Sequence, residues 1–246
     1  MIIGSGFIFR EETASTNNDA ANLIQLKNPP EGTIVHAGFQ SAGKGQKGNT
    51  WESESNRNLL FSIVLYPSMV SPSGQFIISM VISLGISDYL NPSVNNVRIK
   101  WPNDIFAGND KIAGILIENS IAGDSIVSTV AGIGLNVNQD VFPDFIPRAV
   151  SLRMLTGKEH DLTGCLSQLS ACLDKRYKQL IAGENDEIRK QYISSLYRLN
   201  EWAQYRAAGS EFTGRILSVN ESGCLMVETE NGKIRDFAFR EIEFIH

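Results

Sequence analysis

Apolar positions change period early in the chain. Over residues 7–11 they alternate with polar ones, which predicts a short strand, and at Ala20, Ala21, Leu23 and Ile24 they recur at helical spacing. Ser15-Thr16-Asn17 stands where an N-cap belongs, and Pro29-Pro30 ends the helix because proline has no N–H to continue the ladder. Residues 33–40 and 59–66 read as strands, the second so continuously apolar that burial on both faces is expected. Phe76, Ile77, Met80, Val81 and Leu84 mark a core helix capped by Ser71-Pro72-Ser73 and ending near Asn91-Pro92. Strands over 97–101, 105–107, 111–118 and 125–138 are separated by turns at Pro102-Asn103-Asp104, Gly108-Asn109-Asp110 and Gly123-Asp124, which predicts an antiparallel meander. Beyond the loop that holds Phe142-Pro143 and Ile146-Pro147, helices are predicted over 150–155, 162–181 and 187–199, covering one face of the sheet. From Glu211 onward only short strands follow, broken by Glu230-Asn231-Gly232-Lys233, enough for a minimal barrel leaning on its neighbour.

Composition narrows the function more than the fold. A net charge of −5 argues against a general nucleic-acid binder and leaves room only for a local basic pocket. Residues 1–6 lack a basic leader, and the apolar run 76–86 falls short of the roughly 20 residues of a membrane span, so a cytoplasmic protein without membrane contact is expected. Cys165, Cys172 and Cys224 form no C-x-x-C pair, and Cys165 and Cys172 are spaced to face the core. His36, His160 and His246 are scattered, which argues against a His/Cys metal site.

The chemistry concentrates in residues 39–51. There Gly43, Gly45 and Gly48 alternate with Lys44, Lys47 and amide side chains behind a strand. Glycines let successive N–H groups line one concavity, and the lysines add charge, so the loop is suited to an anion; a plain polar hairpin connection is the alternative. It is neither a Walker A motif nor a dinucleotide fingerprint. Lys111, flanked by Gly108 and Gly114 at the head of an apolar strand, either points into a site or starts an exposed edge. Asp104 is either an Asx-turn residue or a functional carboxylate.

Taken in order, this loop, Lys100-Trp101-Pro102-Asn103-Asp104, Lys111-Ile112-Ala113-Gly114-Ile115-Leu116-Ile117-Glu118 and Gly132-Ile133-Gly134-Leu135-Asn136-Val137-Asn138 resemble the biotin protein ligases, also called biotin–[acetyl-CoA-carboxylase] ligases. The resemblance runs over nearly the whole chain. It implies an α+β fold: residues 1–208 as a catalytic domain with a mixed, largely antiparallel sheet and helices, of the type shared with lipoate ligases and related to class II aminoacyl-tRNA synthetases. Residues 209–246 would form a small barrel of the Src-homology-3 type, with a role in acceptor docking or ATP handling. It also implies two reaction steps, in which ATP and biotin, with Mg²⁺, give biotinyl-5′-AMP and pyrophosphate, and a lysine of a biotin carboxyl carrier protein then displaces AMP. No tightly bound prosthetic group is expected.

By the same resemblance, biotin would be held by Ser15, Thr16, Asn17, Gln40, Gly43, Lys44, Gly45, Gln46, Lys111 and Gly114. ATP would be held by Lys44, Gln46, Lys47, Asn49, Trp51, Asn103, Asp104, Lys111 and Asn136, with Trp51 against the adenine. The implied catalytic groups are Lys111, bridging the biotin carboxylate and α-phosphate, Asp104, as an acceptor or Mg²⁺-facing carboxylate, and Lys44. Joining a carboxylate to a phosphate requires two anions neutralised and held in line, which fits such a set. The chain departs from the best-known loop, Gly-Arg-Gly-Arg-x-Gly-Arg: Lys44 and Gln46 replace its first two arginines and Asn49 its last. Lysine keeps the charge without the planar fork, and the amides keep hydrogen bonding without charge.

Some family members carry a preceding helix-turn-helix domain and act as repressors; this chain starts at the catalytic domain, and with its acidic balance the expectation is the monofunctional form without DNA binding. The glycine loop is expected to be mobile until ligand orders it. Two alternatives stay open: a lipoate or octanoate ligase or transferase on the same scaffold, and a non-catalytic module that binds biotin or a nucleotide. Exposed strands leave a homodimer open as well.

Overall fold

The computed structural model describes residues 1–46, 48–146 and 148–245. Strand β1 (Gly6–Thr13) passes through helix α1 (Thr16–Lys27) into β2 (Thr33–Gln40), which lies parallel to β1, the arrangement a crossover helix permits. β2 pairs antiparallel with β3 (Leu59–Leu65). After a 3₁₀ turn (Pro72–Gly74) and helix α2 (Phe76–Leu90), four strands follow: β4 (Val97–Lys100), β5 (Asp104–Ala107), β6 (Asp110–Ala122) and β7 (Ser125–Leu135). They form the expected meander, and β7 pairs with β3 to complete a seven-stranded sheet ordered β1-β2-β3-β7-β6-β5-β4. Every residue of β3 is buried, as its apolar run requires.

The helices do not all lie on one face. Alternate residues of β2, β3 and β7 feed two separate clusters. Val35, Val64 and Val130 pack with Ala20 under α1, whereas Ile34, Ile63 and Ala131 point the other way. That second face carries α2, α4 (Leu162–Ile181) and α5 (Asn185–Ser194), with the short α3 (Leu152–Thr156) capped by Ser151. Pro72–Leu90 is 19 residues and, by length and composition alone, apolar enough for a membrane helix. Eleven residues of α2 are instead buried between the sheet, α4 and α5, which marks a core helix.

Two helical expectations shorten. Ser71-Pro72-Ser73 opens the 3₁₀ turn, and α2 begins only at Phe76. The pattern over 187–199 is helical only to Ser194, because the next residues bond to β4: Ile99 N–H donates to Ser195 O at 2.8 Å and Tyr197 N–H to Ile99 O at 2.9 Å. The remainder forms an antiparallel five-stranded sheet of β8 (Trp202–Ala207), β9 (Ser210–Val219), β10 (Leu225–Thr229), β11 (Ile234–Phe237) and β12 (Glu243–Phe244), ordered β11-β10-β9-β8-β12. Its first strand, β8, lies ahead of residue 209, within the residues assigned from the sequence to the catalytic domain.

Candidate active site

The floor of the site follows from strand alternation. On the α1 face, β6 and β7 present Gly114, Gly132 and Gly134, with Gly114 directly opposite Gly134 and Gly132 opposite Leu116. None has room for a side chain. A Cβ would stand 2.8 Å from the Trp51 ring at Gly114, 2.1 Å from Asn17 Oδ1 at Gly132 and 2.3 Å from the Trp51 ring at Gly134.

Helix α1 supplies one wall. Ser15 occupies the N-cap position, yet its side chain makes no capping bond. Thr16 donates instead to Gln40 Oε1, from N–H at 2.7 Å and from Oγ1 at 3.0 Å. With Oε1 so used, the Gln40 amide NH₂ remains beside Gly43. The Ser62 hydroxyl, buried on β3, lies 2.7 Å from Thr16 Oγ1 and 2.6 Å from Asn17 Oδ1. Asn17 Nδ2 donates to Glu118 Oε2 at 2.7 Å, so this amide is fixed at both ends. Thr16 and Asn17 thus form a hydrogen-bonding wall, and Ser15 lines the cleft from the N-cap position.

The glycine loop folds as a tight hairpin that carries Trp51 over the floor. Trp51 N–H donates to Gly43 O, and Gly45 N–H to Asn49 O, each at 2.9 Å. Lys44 and Thr50 bridge across it. Trp51 Nε1 and Gln46 Oε1 are buried without a hydrogen-bond partner among the described residues. Buried polar atoms of this kind cost free energy until something pairs with them, which suits a ligand surface.

Opposite stands the charged centre. Lys111 Nζ lies 2.7 Å from Asp104 Oδ1 and 5.4 Å from the centroid of the Trp51 ring. The Lys111 backbone is pinned on both sides, donating to Arg148 O at 2.6 Å and accepting from Val150 N–H at 3.0 Å. Asn103 Nδ2 donates to Ile115 O at 2.8 Å, which ties the Asn103-Asp104 turn to the strand that carries Lys111. Lys100, paired across strands with Asp104, lies between the Phe106 and Phe244 rings at 4.9 and 5.1 Å. Burial pushes its pKa down and Asp104 pulls it back up, while Lys111, Arg198 and Arg148 add to the lowering.

These walls enclose a cleft of about 650 Å³ lined by Ser15, Thr16, Asn17, Gln40, Lys44, Gly45, Gln46, Asn49, Trp51, Asn103, Asp104, Lys111 and Gly114 of the expected set. Gly43 and Asn136 do not line it. Gly43 backs the Trp51 main chain, where a Cβ would stand 2.4 Å from Trp51 O. Asn136 faces a second cavity of about 420 Å³ beyond Trp51, with Phe142, Phe145, Ile146 and Ala149; Asn49, Trp51 and Lys111 line both spaces. Lys47 lies outside the described residues. Sequence reasoning missed Phe239, Arg240, Ile242, Glu243 and Phe244, which close the cleft from the second sheet, and Trp101, which sat in a quoted motif without a role. Among the described residues no group of three or more His, Cys, Asp or Glu is placed to hold a metal ion.

The model of the biotin/lipoate A/B protein ligase family matches residues 9–138, more than half of the 246, including the α1 wall, the glycine loop, Asp104, Lys111 and the glycine floor. The chain belongs to this family. Among its relatives, the bifunctional ligase/repressor BirA of Bacillus subtilis (strain 168) is 30% identical over 237 residues, covering 94% of this chain and 72% of that protein. The biotin–[acetyl-CoA-carboxylase] ligase of Paracoccus denitrificans is 27% identical over 229 residues, covering 89% of this chain and 94% of that protein. Among solved structures, the biotin protein ligase of Aquifex aeolicus in complex with biotin and ATP superposes with a TM-score of 0.81 at 26% identity, covering 98% of this chain and 99% of that one. The superposition extends over both sheets, whereas the family model ends at residue 138, ahead of the second sheet.

Proposed function

We propose that this chain is a biotin protein ligase, which activates biotin with ATP and transfers it to a lysine of a biotin carboxyl carrier protein. The observation that carries this reading is the position of Lys111, which borders both the cleft and the cavity beyond Trp51. An acid seated against Thr16, Asn17 and Gln40 and a nucleotide seated toward Asn136 would bring their reacting ends together at that ammonium. The relatives named as biotin ligases, and the structural neighbour holding biotin and ATP, favour biotin as the acid.

In the first step a biotin carboxylate oxygen attacks the α-phosphorus, the mixed anhydride forms, and the bond to pyrophosphate breaks. Lys111 neutralises the approaching carboxylate and the phosphoryl oxygens; the donors of the glycine loop and Asn103 hold them in line. Asp104, already paired with Lys111, keeps the ammonium oriented. Mg²⁺ would come with the nucleotide as MgATP, with Asp104 a cleft carboxylate that would face it, and would supply charge neutralisation at the phosphates. In the second step the carrier lysine, as free amine, attacks the acyl carbon and AMP leaves. The three cysteines are free thiols, which suits the reducing cytoplasm where ATP is available.

The test is pyrophosphate exchange into ATP with biotin, lipoate, octanoate or no acid. Biotin-dependent exchange is expected. Exchange with lipoate or octanoate alone moves the chain to the other branch of its family, and none with any acid returns it to transferase or binding module.

A further inference from the structure

We propose that Trp101 is a positioning residue through which the second sheet holds the Asn103-Asp104 side of the cleft, so that adenylation depends on how that sheet is docked. The inference rests on the ligase reading above.

Trp101 leaves β4 two residues before Asn103 and is 4% exposed. Its indole Nε1–H donates to the Gly223 carbonyl at 2.9 Å, a buried bond between the two sheets' domains. The turn that offers this carbonyl is shaped for it. Gly223 has φ +91°, and a Cβ there would stand 2.6 Å from the Phe76 ring, so only glycine fits both the backbone and the space. Asn220 N–H donates to Cys224 O at 2.9 Å and closes the turn. Phe76, at the head of α2, packs edge-on against Tyr192 of α5, so the turn rests on the helical layer as well as on Trp101. A second contact joins the Trp101 and Phe239 rings at 6.5 Å, and Phe239 itself lines the cleft.

The turn that carries Asp104 is therefore held at two points. On one side Asn103 is tied to Ile115 of β6, by its Nδ2 donating to Ile115 O and by Ile115 N–H donating to Asn103 O. On the other side Trp101 is tied to Gly223. β6 also carries Lys111, so the Trp101–Gly223 bond, beside the Lys100–Phe244 contact, is a tie that sets the second sheet against the Asp104–Lys111 pair. A shift of about 1 Å in a positioned group costs on the order of 10²-fold in rate. A tryptophan present only to fill space would need the ring and not the N–H.

The experiment uses the full chain with Trp101→Phe, which keeps an aromatic ring and removes the N–H. Pyrophosphate exchange is expected to fall at least five-fold in kcat with a raised KM for ATP, while the dissociation constant for biotin without nucleotide stays within two-fold of wild type. Gly223→Ala, acting on the other end of the same bond, is expected to show the same split. A folded W101F with wild-type kcat and ATP KM overturns the proposal, as does biotin affinity lost in parallel. Should W101F not fold, the indole N–H signals of the wild-type chain decide: exchange at Trp101 as fast as at Trp202, half-exposed on β8, overturns it. Wild-type protein without biotin-dependent exchange counts against the ligase reading itself, whereas exchange that W101F retains counts against Trp101 alone.

Discussion

Lys111 Nζ sits 2.7 Å from Asp104 Oδ1 across neighbouring strands, with the Trp51 ring below it. The ammonium is thus oriented before any anion arrives, and an incoming carboxylate or phosphate adds to a prepared pair. Lys111→Ala should therefore lower adenylation about 10²-fold or more, since loss of one donor aimed at transition-state charge typically costs ~2.7–4 kcal/mol. Pyrophosphate exchange measures this directly. Near-normal turnover by a folded variant would remove Lys111 from the mechanism.

Gly132 lies beneath Asn17, where an added Cβ would stand 2.1 Å from Asn17 Oδ1. That oxygen is already fixed by Ser62 and the amide nitrogen by Glu118, so it has nowhere easy to go. Gly132→Ala is expected to weaken biotin binding about ten-fold, because relieving the clash displaces Asn17 from the wall of the cleft. Gly6→Ala is the control, because a Cβ there meets only ordinary contact, at 3.6 Å from Thr33 Oγ1. Titration calorimetry with biotin separates the two, and equal affinity for both variants would contradict the geometry.

Glu118 joins two walls: its carboxylate accepts from Asn17 and lies 3.8 Å from Lys44 of the glycine loop, with both charged side chains more than two-fifths exposed. Such an exposed pair is worth at most ~1 kcal/mol and is screened by salt. Biotin should accordingly leave the wild-type protein a few-fold faster as ionic strength rises from about 0.01 M to about 1 M, over which the screening length falls roughly ten-fold. Glu118→Gln keeps an acceptor for Asn17 and loses the pairing with Lys44, so its dissociation rate should respond less to salt than that of wild type. A salt-independent wild-type rate would mean that this pair does not hold the loop.

Much of this was legible in the sequence because strand period and turn chemistry are local. Residues 33–40 and 162–181 needed nothing beyond their own pattern, and the Gly108 and Gly123 turns set the order of β5, β6 and β7. What failed depends on distant partners. Leu196 and Tyr197 continue a helical spacing but pair with β4. Asp104 and Lys111 were legible as a motif, though their ion pair required the β5–β6 register. Gly43 and Asn136 were placed with the right neighbours and turned out to lie behind and beyond Trp51. Phe239 to Phe244 gave no warning, since their part in the cleft comes from docking a sheet whose own sequence carries no such pattern.

Asp174 gives a prediction outside the site. This α4 carboxylate accepts from Ile2 and Ile3 N–H and pairs with Lys178 at 2.8 Å, pinning the N-terminal segment against the core. Burial acts to raise its pKa, but the Lys178 contact and the two amides outweigh it and hold the carboxyl below its ordinary value. A carboxyl depressed on folding stabilises the fold fully above its unfolded pKa, about 3.9, and that contribution disappears as pH falls through the lower folded value. Asp174→Asn should therefore be less stable than wild type at neutral pH, and the gap should close below about pH 4. Urea unfolding at a series of pH values follows this gap. A difference that stays constant into acid would show that the charge of Asp174 contributes nothing to it.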